Sequence, residues 1–237
     1  IFAIIRFSLI RFFGRYIGSK SSEIITCLCV SISACLSLFI FYKVIYHDYT
    51  NHVIIAKWIE SGTLNVNWSI YVDPLSALML VVVTLISAIV HIYSVGYMSH
   101  DPHKPRFMSY LSLFTFAMLM LVTADNFIQL FFGWEGVGVC SYLLIGFWFK
   151  KNTANSAAIK AFLVNRVGDF GLALGIFLIF YIFGTVNYID VFEAIKTIEN
   201  KDIVFLGLNF NAINTICVLL FIGAMGKSAQ IFLHTWL

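Results

Sequence analysis

The chain consists of long apolar runs joined by short polar connections. A helix needs about 20 mostly apolar residues to cross a bilayer, and six of the seven runs approach or exceed that length. In chain order the runs cover residues 1–14, 24–46, 74–98, 107–124, 126–149, 157–184 and 207–233. This pattern predicts an all-α, polytopic transmembrane helical bundle with about seven membrane segments, the first of them short and imperfect.

The connections between the runs are of two kinds, which alternate along the chain. The basic kind carries Arg11, Arg15, Lys20, Lys104, Arg106, Lys150 and Lys151. The other kind is acidic or mixed and covers residues 47–70, 124–125 and 188–202. The positive-inside rule places the basic connections on the cytoplasmic-type face. We therefore expect residue 1 outside and residue 237 inside, with a short helix at 189–200 lying on the outer surface.

The composition excludes several classes of protein. Of the 237 residues, 60% are hydrophobic and 11% are charged, whereas soluble domains carry roughly 25% charged residues. The net charge of +3 is scattered over the connections, so nucleic-acid binding has no support. The five cysteines lie inside apolar runs and are interpreted as small buried hydrophobes. Because the sequence has no Rossmann glycine fingerprint, cysteine cluster or haem pair, we predict no redox centre and no metal site in this chain.

Charges inside the apolar runs are the strongest functional signal. Glu135 lies in the middle of the run 126–149, where a charge costs roughly 2.5–3.5 kcal/mol. Lys227 lies deep in the last run, and both residues have glycines nearby that allow close helix approach. A chain keeps such charges where they have a partner or a function, so we interpret Glu135 and Lys227 as functional residues.

Three more ionisable residues accompany this pair. Arg166 and Asp169 are three positions apart, hence on one helical face and able to pair with each other. His234 is seven positions after Lys227, which is two turns of a continuous helix, so the two are predicted to share a face. An ion pair that only orients helices is the alternative interpretation for Arg166 and Asp169. Lys160 lies near a span end and is expected to extend its ammonium to the headgroups.

A Glu–Lys pair in a membrane has energies suited to proton transfer. At about 4 Å and an effective dielectric constant of about 20, a unit charge contributes about 4 kcal/mol. Moving one charge through about 100 mV costs about 2.3 kcal/mol. Because these energies are comparable, we hypothesise that Glu135 and Lys227 load and unload a proton by making and breaking contact.

His91 is one further histidine well inside a predicted span. A bis-histidine haem site requires a second histidine at matching depth, and none is evident in the sequence. A structural hydrogen bond is therefore the favoured role for His91.

Three long motifs resemble one known family. They read Asp125-Asn-Phe-Ile-Gln-Leu-Phe-Phe-Gly-Trp-Glu-Gly-Val-Gly, then Asn165-Arg-Val-Gly-Asp-Phe-Gly, then Gly226-Lys-Ser-Ala-Gln-Ile-Phe-Leu-His-Thr-Trp-Leu237. Together they resemble the subunit 5 family of mitochondrial NADH:ubiquinone oxidoreductase, respiratory complex I, whose members are antiporter-like membrane subunits. Shorter similarities extend this resemblance over nearly the whole chain.

The resemblance implies a part in proton translocation coupled to electron transfer from NADH to ubiquinone. On matching residues, Glu135 and Lys227 would carry protons, with Asp169 and Arg166 as the polar pair that tunes them. With His234, these residues make up the predicted proton-translocation site. The resemblance further implies a multi-pass location in the mitochondrial inner membrane. It also implies contacts with lipids and other membrane-arm subunits, and places NADH, FMN, iron–sulfur clusters and ubiquinone in partner subunits.

We expect one membrane domain over residues 1–237, with leading helices in 1–98 and most of a first antiporter-like repeat in 107–237. Members of the family continue into a second repeat that carries its own lysine. Either a second chain supplies that remainder or the sequence is partial, and we expect the second chain. Two other functions remain open: a subunit of a multi-subunit sodium/proton antiporter, and a structural membrane scaffold in which the charges only lock helices together.

Overall fold

The computed structural model describes residues 18–47, 49–196, 202–205 and 208–237. The first predicted span, residues 1–14, lies outside them. Among the described residues, five helices are long and apolar enough to cross a membrane. They are α1 (Ser19–His47), α2 (Pro74–Tyr97), α3 (Lys104–Val122), α4 (Phe127–Ile145) and α5 (Asn152–Phe183). The predicted polytopic helical bundle is therefore confirmed, with span boundaries within about five residues of those predicted.

Local sequence signals set the ends of these helices. Asp73 caps α2: its side chain accepts a 2.7 Å hydrogen bond from the backbone N–H of Ser76, and the Ser76 hydroxyl accepts one of 2.8 Å from the backbone N–H of Asp73. Asn126 caps α4 in the same way through the N–H of Gln129, at 2.7 Å. Such caps satisfy helix N–H groups that have no partner within the helix. Gly184, with a φ of 71°, ends α5 in the left-handed conformation that glycine adopts readily.

The connection 47–70, predicted only as a polar linker, contains most of a β-hairpin. Strands β1 (Asn51–Ser61) and β2 (Leu64–Val72) pair antiparallel. Gly62 takes a φ of 58° in the turn between them, a conformation that is costly for residues with a Cβ. Runs of β-branched residues such as Val53-Ile54-Ile55 favour extended backbone, and this signal was obscured by the surrounding polar residues.

The hairpin is attached to the first turn of α4. The buried Gln129 side chain accepts a hydrogen bond from the backbone N–H of Ser69 at 3.0 Å and donates one to its carbonyl at 2.7 Å. Asn126 Nδ2 donates to the carbonyl of Asn67 at 3.0 Å. The amide of Gln129 thus pairs with β2 as a neighbouring strand would, and it fixes the outer end of α4 to the hairpin.

The last predicted span, residues 207–233, is wrong as one continuous helix. Its first residues belong to a second hairpin, and its last residues form turns. In order, the structure has β3 (Asp202–Phe205), β4 (Leu208–Asn211), α7 (Ala212–Lys227) and a short 3₁₀ helix (His234–Trp236). Asn211 caps α7 through the N–H of Asn214 at 3.1 Å. After Lys227 the chain turns through Ala229 and Phe232, whose φ values of 48° and 71° end the helical path.

The short helix predicted at 189–200 is present as α6 (Tyr188–Ile195), and residues 197–200 lie outside the described residues. Its buried Val191 belongs to an apolar cluster that joins three helices. The other members are Ile179 and Ile182 of α5 and Ala212 and Ile216 of α7. This cluster holds α6 across the ends of α5 and α7 and removes a compact patch of apolar surface from solvent.

Glycines let α5 and α7 approach until their backbones touch. A Cβ atom placed on Gly168 would lie 2.9 Å from the Cα of Gly226, and one on Gly171 would lie 2.6 Å from Cγ2 of Ile222. Small residues at such crossings allow close packing in membranes, where helices gain little from the hydrophobic effect. The crossing sets the position of Lys227, the residue after Gly226.

The cysteine and His91 interpretations have mixed outcomes. Cys140 is buried, but Cys35 and Cys217 are exposed on the surface of the bundle, so the buried interpretation is wrong for these two. The long apolar runs that contain them have lipid-facing as well as packed sides. His91 is 1% exposed, and its Nδ1 lies 2.7 Å from the carbonyl of Ser87, which confirms its structural hydrogen bond.

Candidate functional site

Glu135 pairs with Arg166 across the contact between α4 and α5. Arg166 Nη1 donates a hydrogen bond to Glu135 Oε1 at 2.5 Å. The guanidinium also lies over the ring of Phe162, 4.7 Å from its centroid. Arg166 thus binds Glu135 rather than Asp169, and no direct Glu135–Lys227 pair forms among the described residues. Residues on one helical face can reach each other, but here the neighbouring helix offers Arg166 a closer carboxylate.

Asp169 has a different partner, which the sequence did not single out. Its side chain is 4% exposed, and its Oδ1 accepts a 2.7 Å hydrogen bond from the indole Nε1–H of Trp134. A hydrogen bond to a carboxylate stabilises its ionised form and fixes its orientation. Tryptophan usually lies at span ends, so a tryptophan in mid-span next to Glu135 was the available signal.

Lys227 is the last residue of α7, and its ammonium points between α4 and α5. Its Nζ lies 5.9 Å from the centroid of the Trp134 ring. A Cβ atom placed on Gly138 would lie 2.7 Å from that nitrogen, so the glycine leaves the space that the ammonium uses. The nitrogen is buried, and among the described residues it has no hydrogen-bond partner.

The charges around Lys227 come from the predicted site residues. Asp169 and Glu135 carry charges opposite to that of the ammonium, and Arg166 carries the same charge. No ion pair with Lys227 forms among the described residues. The structure thus gathers Glu135, Arg166, Asp169 and Lys227 at one place, with Glu135 held by Arg166.

His234 is the one predicted site residue that the structure separates from the others. It was expected to share a helical face with Lys227, but α7 ends at Lys227 and His234 begins the 3₁₀ helix. Its side chain is exposed. The turn is tied back to α7 by Trp236, whose Nε1–H donates to the carbonyl of Gly226 at 3.0 Å. The seven-residue spacing failed because it assumed a helix that does not continue.

A small cavity of about 10 Å³ lies between α4, α5 and the 3₁₀ helix. Its lining includes both carboxylates together with Asn165, Ser141, Tyr142 and Trp236. Asn165 is 7% exposed, and its Nδ2 donates to the carbonyl of Ala161 at 2.9 Å. The site therefore contains two acids, one ammonium and polar groups, all of which are able to exchange protons or hold water by hydrogen bonds.

Two family descriptions match the chain. "NADH-Ubiquinone oxidoreductase (complex I), chain 5 N-terminus" matches residues 58–108. "NADH:quinone oxidoreductase/Mrp antiporter, TM" matches residues 124–237. The second stretch contains every residue of the predicted proton-translocation site.

Curated relatives are similar over almost the whole chain. NADH-ubiquinone oxidoreductase chain 5 of Triticum aestivum is 57% identical over 230 residues, which is 97% of this chain and 34% of that protein. NADH-quinone oxidoreductase subunit L of Rickettsia felis is 54% identical over 225 residues, 95% of this chain and 34% of that protein. The chain thus spans about a third of the length of these relatives.

Solved membrane complexes share the fold at low sequence identity. A chain of the membrane-bound sulfane sulfur reductase, an archaeal respiratory membrane complex, superposes with a TM-score of 0.81 at 15% identity, covering 99% of this chain and 45% of that chain. A chain of the Mrp complex from Dietzia sp. DQ12-45-1b superposes with a TM-score of 0.78 at 21% identity, covering 100% of this chain and 24% of that chain. These similarities establish the architecture of the described bundle.

Proposed function

Because the chain belongs to the family of antiporter-like membrane subunits that includes chain 5 of NADH-ubiquinone oxidoreductase, we propose that it forms part of a proton-translocating subunit. The proton movement would be coupled to electron transfer from NADH to ubiquinone in respiratory complex I. The redox groups, namely FMN, iron–sulfur clusters and bound ubiquinone, would lie in partner subunits. The remaining part of the antiporter-like fold, carried by the same polypeptide or by a second chain, would supply the rest of the proton path.

One observation carries this proposal: the ammonium of Lys227 is buried beside two carboxylates without an ion pair among the described residues. A buried charge without a hydrogen-bonded counter-ion is costly, and a group that releases and regains a proton avoids that cost. Glu135 is already in an ion pair with Arg166, so it becomes available to Lys227 only when that ion pair opens. The rest of the complex would then act on this site by opening and closing the Glu135–Arg166 ion pair.

The location and neighbours follow from the same relatives. Plant relatives at 56–57% identity carry the name NADH-ubiquinone oxidoreductase chain 5. This supports placing the chain in the mitochondrial inner membrane among the other membrane-arm subunits of complex I. Bacterial relatives at 52–54% identity carry the name NADH-quinone oxidoreductase subunit L, so a location experiment on the native protein decides the point.

The test is Lys227→Met in the assembled complex, with NADH oxidation and proton uptake measured together in closed vesicles. We expect protons moved per NADH to fall while the complex still assembles. Lys160→Met is the matched control, because Lys160 is an exposed lysine on α5 and its loss removes the same charge. Unchanged proton uptake in Lys227→Met would overturn the proposal.

A cation antiporter is the second candidate, because the family description over residues 124–237 also names the Mrp antiporter. Measuring sodium-linked proton exchange without NADH separates the two functions. A structural scaffold is separated by Glu135→Gln, which keeps the size of the side chain and removes its charge. Full proton translocation in that variant would favour the scaffold.

A further inference from the structure

The small cavity between α4 and α5 has the dimensions of a site for one water molecule. Its volume is about 10 Å³, and a single water requires a cavity of roughly 10–15 Å³ by this measure. Both Glu135 and Asp169 line it. Glu135 and Asp169 therefore border one space that is large enough for a single water molecule.

Asn165 supplies the second observation. Its amide nitrogen is used by the carbonyl of Ala161, but its Oδ1 is buried and has no hydrogen-bond partner among the described residues. A buried amide oxygen without a partner costs about 1–3 kcal/mol, and buried polar groups of this kind are commonly satisfied by ordered water. Because Asn165 itself lines the cavity, a water there would donate a hydrogen bond to its Oδ1, which has no other donor among the described residues.

A buried water needs two to four polar partners, and the cavity offers them. Besides Asn165, the two carboxylates accept hydrogen bonds and the Tyr142 hydroxyl can donate one. Ser141 contributes less, because its hydroxyl donates to the carbonyl of Val137 at 2.9 Å. The lining thus suits a water whose two O–H groups bind acceptors and whose oxygen receives a donor.

We propose that Asn165 holds a water molecule that connects Glu135 to Asp169 and so completes the proton link toward Lys227. The direction of proton transfer in this inference rests on the proposed function, whereas the water site itself does not. The transfer step begins after the Glu135–Arg166 ion pair has opened and Glu135 has taken up a proton. The carboxyl of Glu135 then gives its proton to the water oxygen, and the water gives one of its own protons to the Asp169 carboxylate. One O–H bond breaks and one forms at each end, and the water is regenerated. Asn165 is a positioning residue in this step, since it neither gains nor loses a proton.

The experiment compares Asn165→Leu with the wild-type assembled complex by electron cryo-microscopy at a resolution that shows ordered water. We expect density for a water within hydrogen-bond distance of Asn165 Oδ1 in the wild type and none in Asn165→Leu. In the same variant, coupled proton transfer is expected to fall by about tenfold or more, as for the loss of a positioned proton-transfer group. Asn155→Leu is the matched control, because Asn155 lies on the same helix and its amide also donates to a carbonyl, that of Phe149 at 2.7 Å.

The outcomes are distinct. Absence of the water in the wild type, or full proton transfer in Asn165→Leu after the water is lost, would overturn the proposal. If Asn165→Leu does not assemble, Asn165→Ser decides the question: its hydroxyl keeps an acceptor and leaves room, so it should retain the water and partial proton transfer. Retained water with abolished transfer in Asn165→Ser would also overturn it. If the proposed function itself fails, Lys227→Met translocates protons normally while the water at Asn165 remains visible.

Discussion

Replacing Gly168 by alanine tests whether the α5–α7 crossing positions Lys227. The new Cβ would lie 2.9 Å from the Cα of Gly226 and 3.2 and 3.3 Å from the carbonyl oxygens of Ile222 and Gly223. All three are backbone atoms of α7, so no side-chain rotation can relieve the contact. The two helices must move apart.

The size of the effect follows from ordinary packing distances. Carbon atoms pack at about 3.5–4.0 Å, so α7 has to retreat by roughly 0.6–1 Å. Overpacking of this kind costs about 1–3 kcal/mol, and the better helix propensity of alanine offsets about 1 kcal/mol of it. We expect a net loss of about 1 kcal/mol in stability. Lys227 follows Gly226 directly and moves with it.

The assay measures thermal inactivation and protons per NADH in membranes that carry Gly168→Ala or Gly96→Ala. Gly96 lies in α2, and nothing lies within 4 Å of a Cβ placed on it, so this variant is expected to gain about 0.5–1 kcal/mol. Gly168→Ala should lose stability and lose coupling, since the ammonium retreats from Trp134 and Asp169. Equal behaviour of the two variants would refute the close crossing and its role.

Two further predictions concern Trp134 and Trp148, whose indole N–H groups each donate a hydrogen bond to an aspartate. Trp134→Phe keeps an aromatic ring facing Lys227 but removes the hydrogen bond to Asp169, so proton translocation should fall. Trp134→Leu should lower it further because it also removes the ring. Equal loss in both variants would mean that the ring plays no part. Hydrogen bonds from the indole of Trp148 and the backbone N–H of His103 hold the pKa of Asp101 below its usual value of 3.8. A carboxyl with a lowered pKa stabilises the fold above its unfolded value and loses that contribution as pH falls through its folded value. Trp148→Phe should therefore make residues 98–104 exchange amide hydrogen faster near pH 7, and this difference from the wild type should shrink as pH falls below the usual carboxyl value of 3.8. Identical exchange profiles in variant and wild type would contradict this account.

The membrane spans could be predicted because each depends on a property that adds up over many residues. Hydropathy over about 20 positions identifies a span even when single residues deviate, and α1 to α5 were all located in this way. Caps such as Asp73 and Asn126 are also local, since the side chain binds a backbone N–H three residues later. Both kinds of signal are contained within the segment that they describe.

The parts that could not be predicted depend on contacts between segments. The turn after Lys227 contains Ile231, Phe232 and Leu233, which continue the apolar run. Hydropathy therefore gave no indication that α7 ends at Lys227. The partner of Arg166 was missed because spacing along one helix says nothing about the carboxylate that a neighbouring helix presents. The amide of Gln129 found its partner sixty residues away in β2, and a glutamine in an apolar run does not indicate which backbone it will bind.

The attachment of α4 to the hairpin restricts how Glu135 can move. At its outer end α4 is held by Gln129 and Asn126, and the N–H of Phe127 also donates to the carbonyl of Val186 at 3.0 Å. Sliding of the helix along its axis would break all of these bonds together, whereas a tilt about that end breaks none. Glu135 lies eight residues from Phe127, about 12 Å at 1.5 Å per residue, so a tilt of about 5° displaces it by only about 1 Å. The glutamate therefore lies near the attached end of α4, where a small tilt of the helix changes its position by only a fraction of the displacement at the far end.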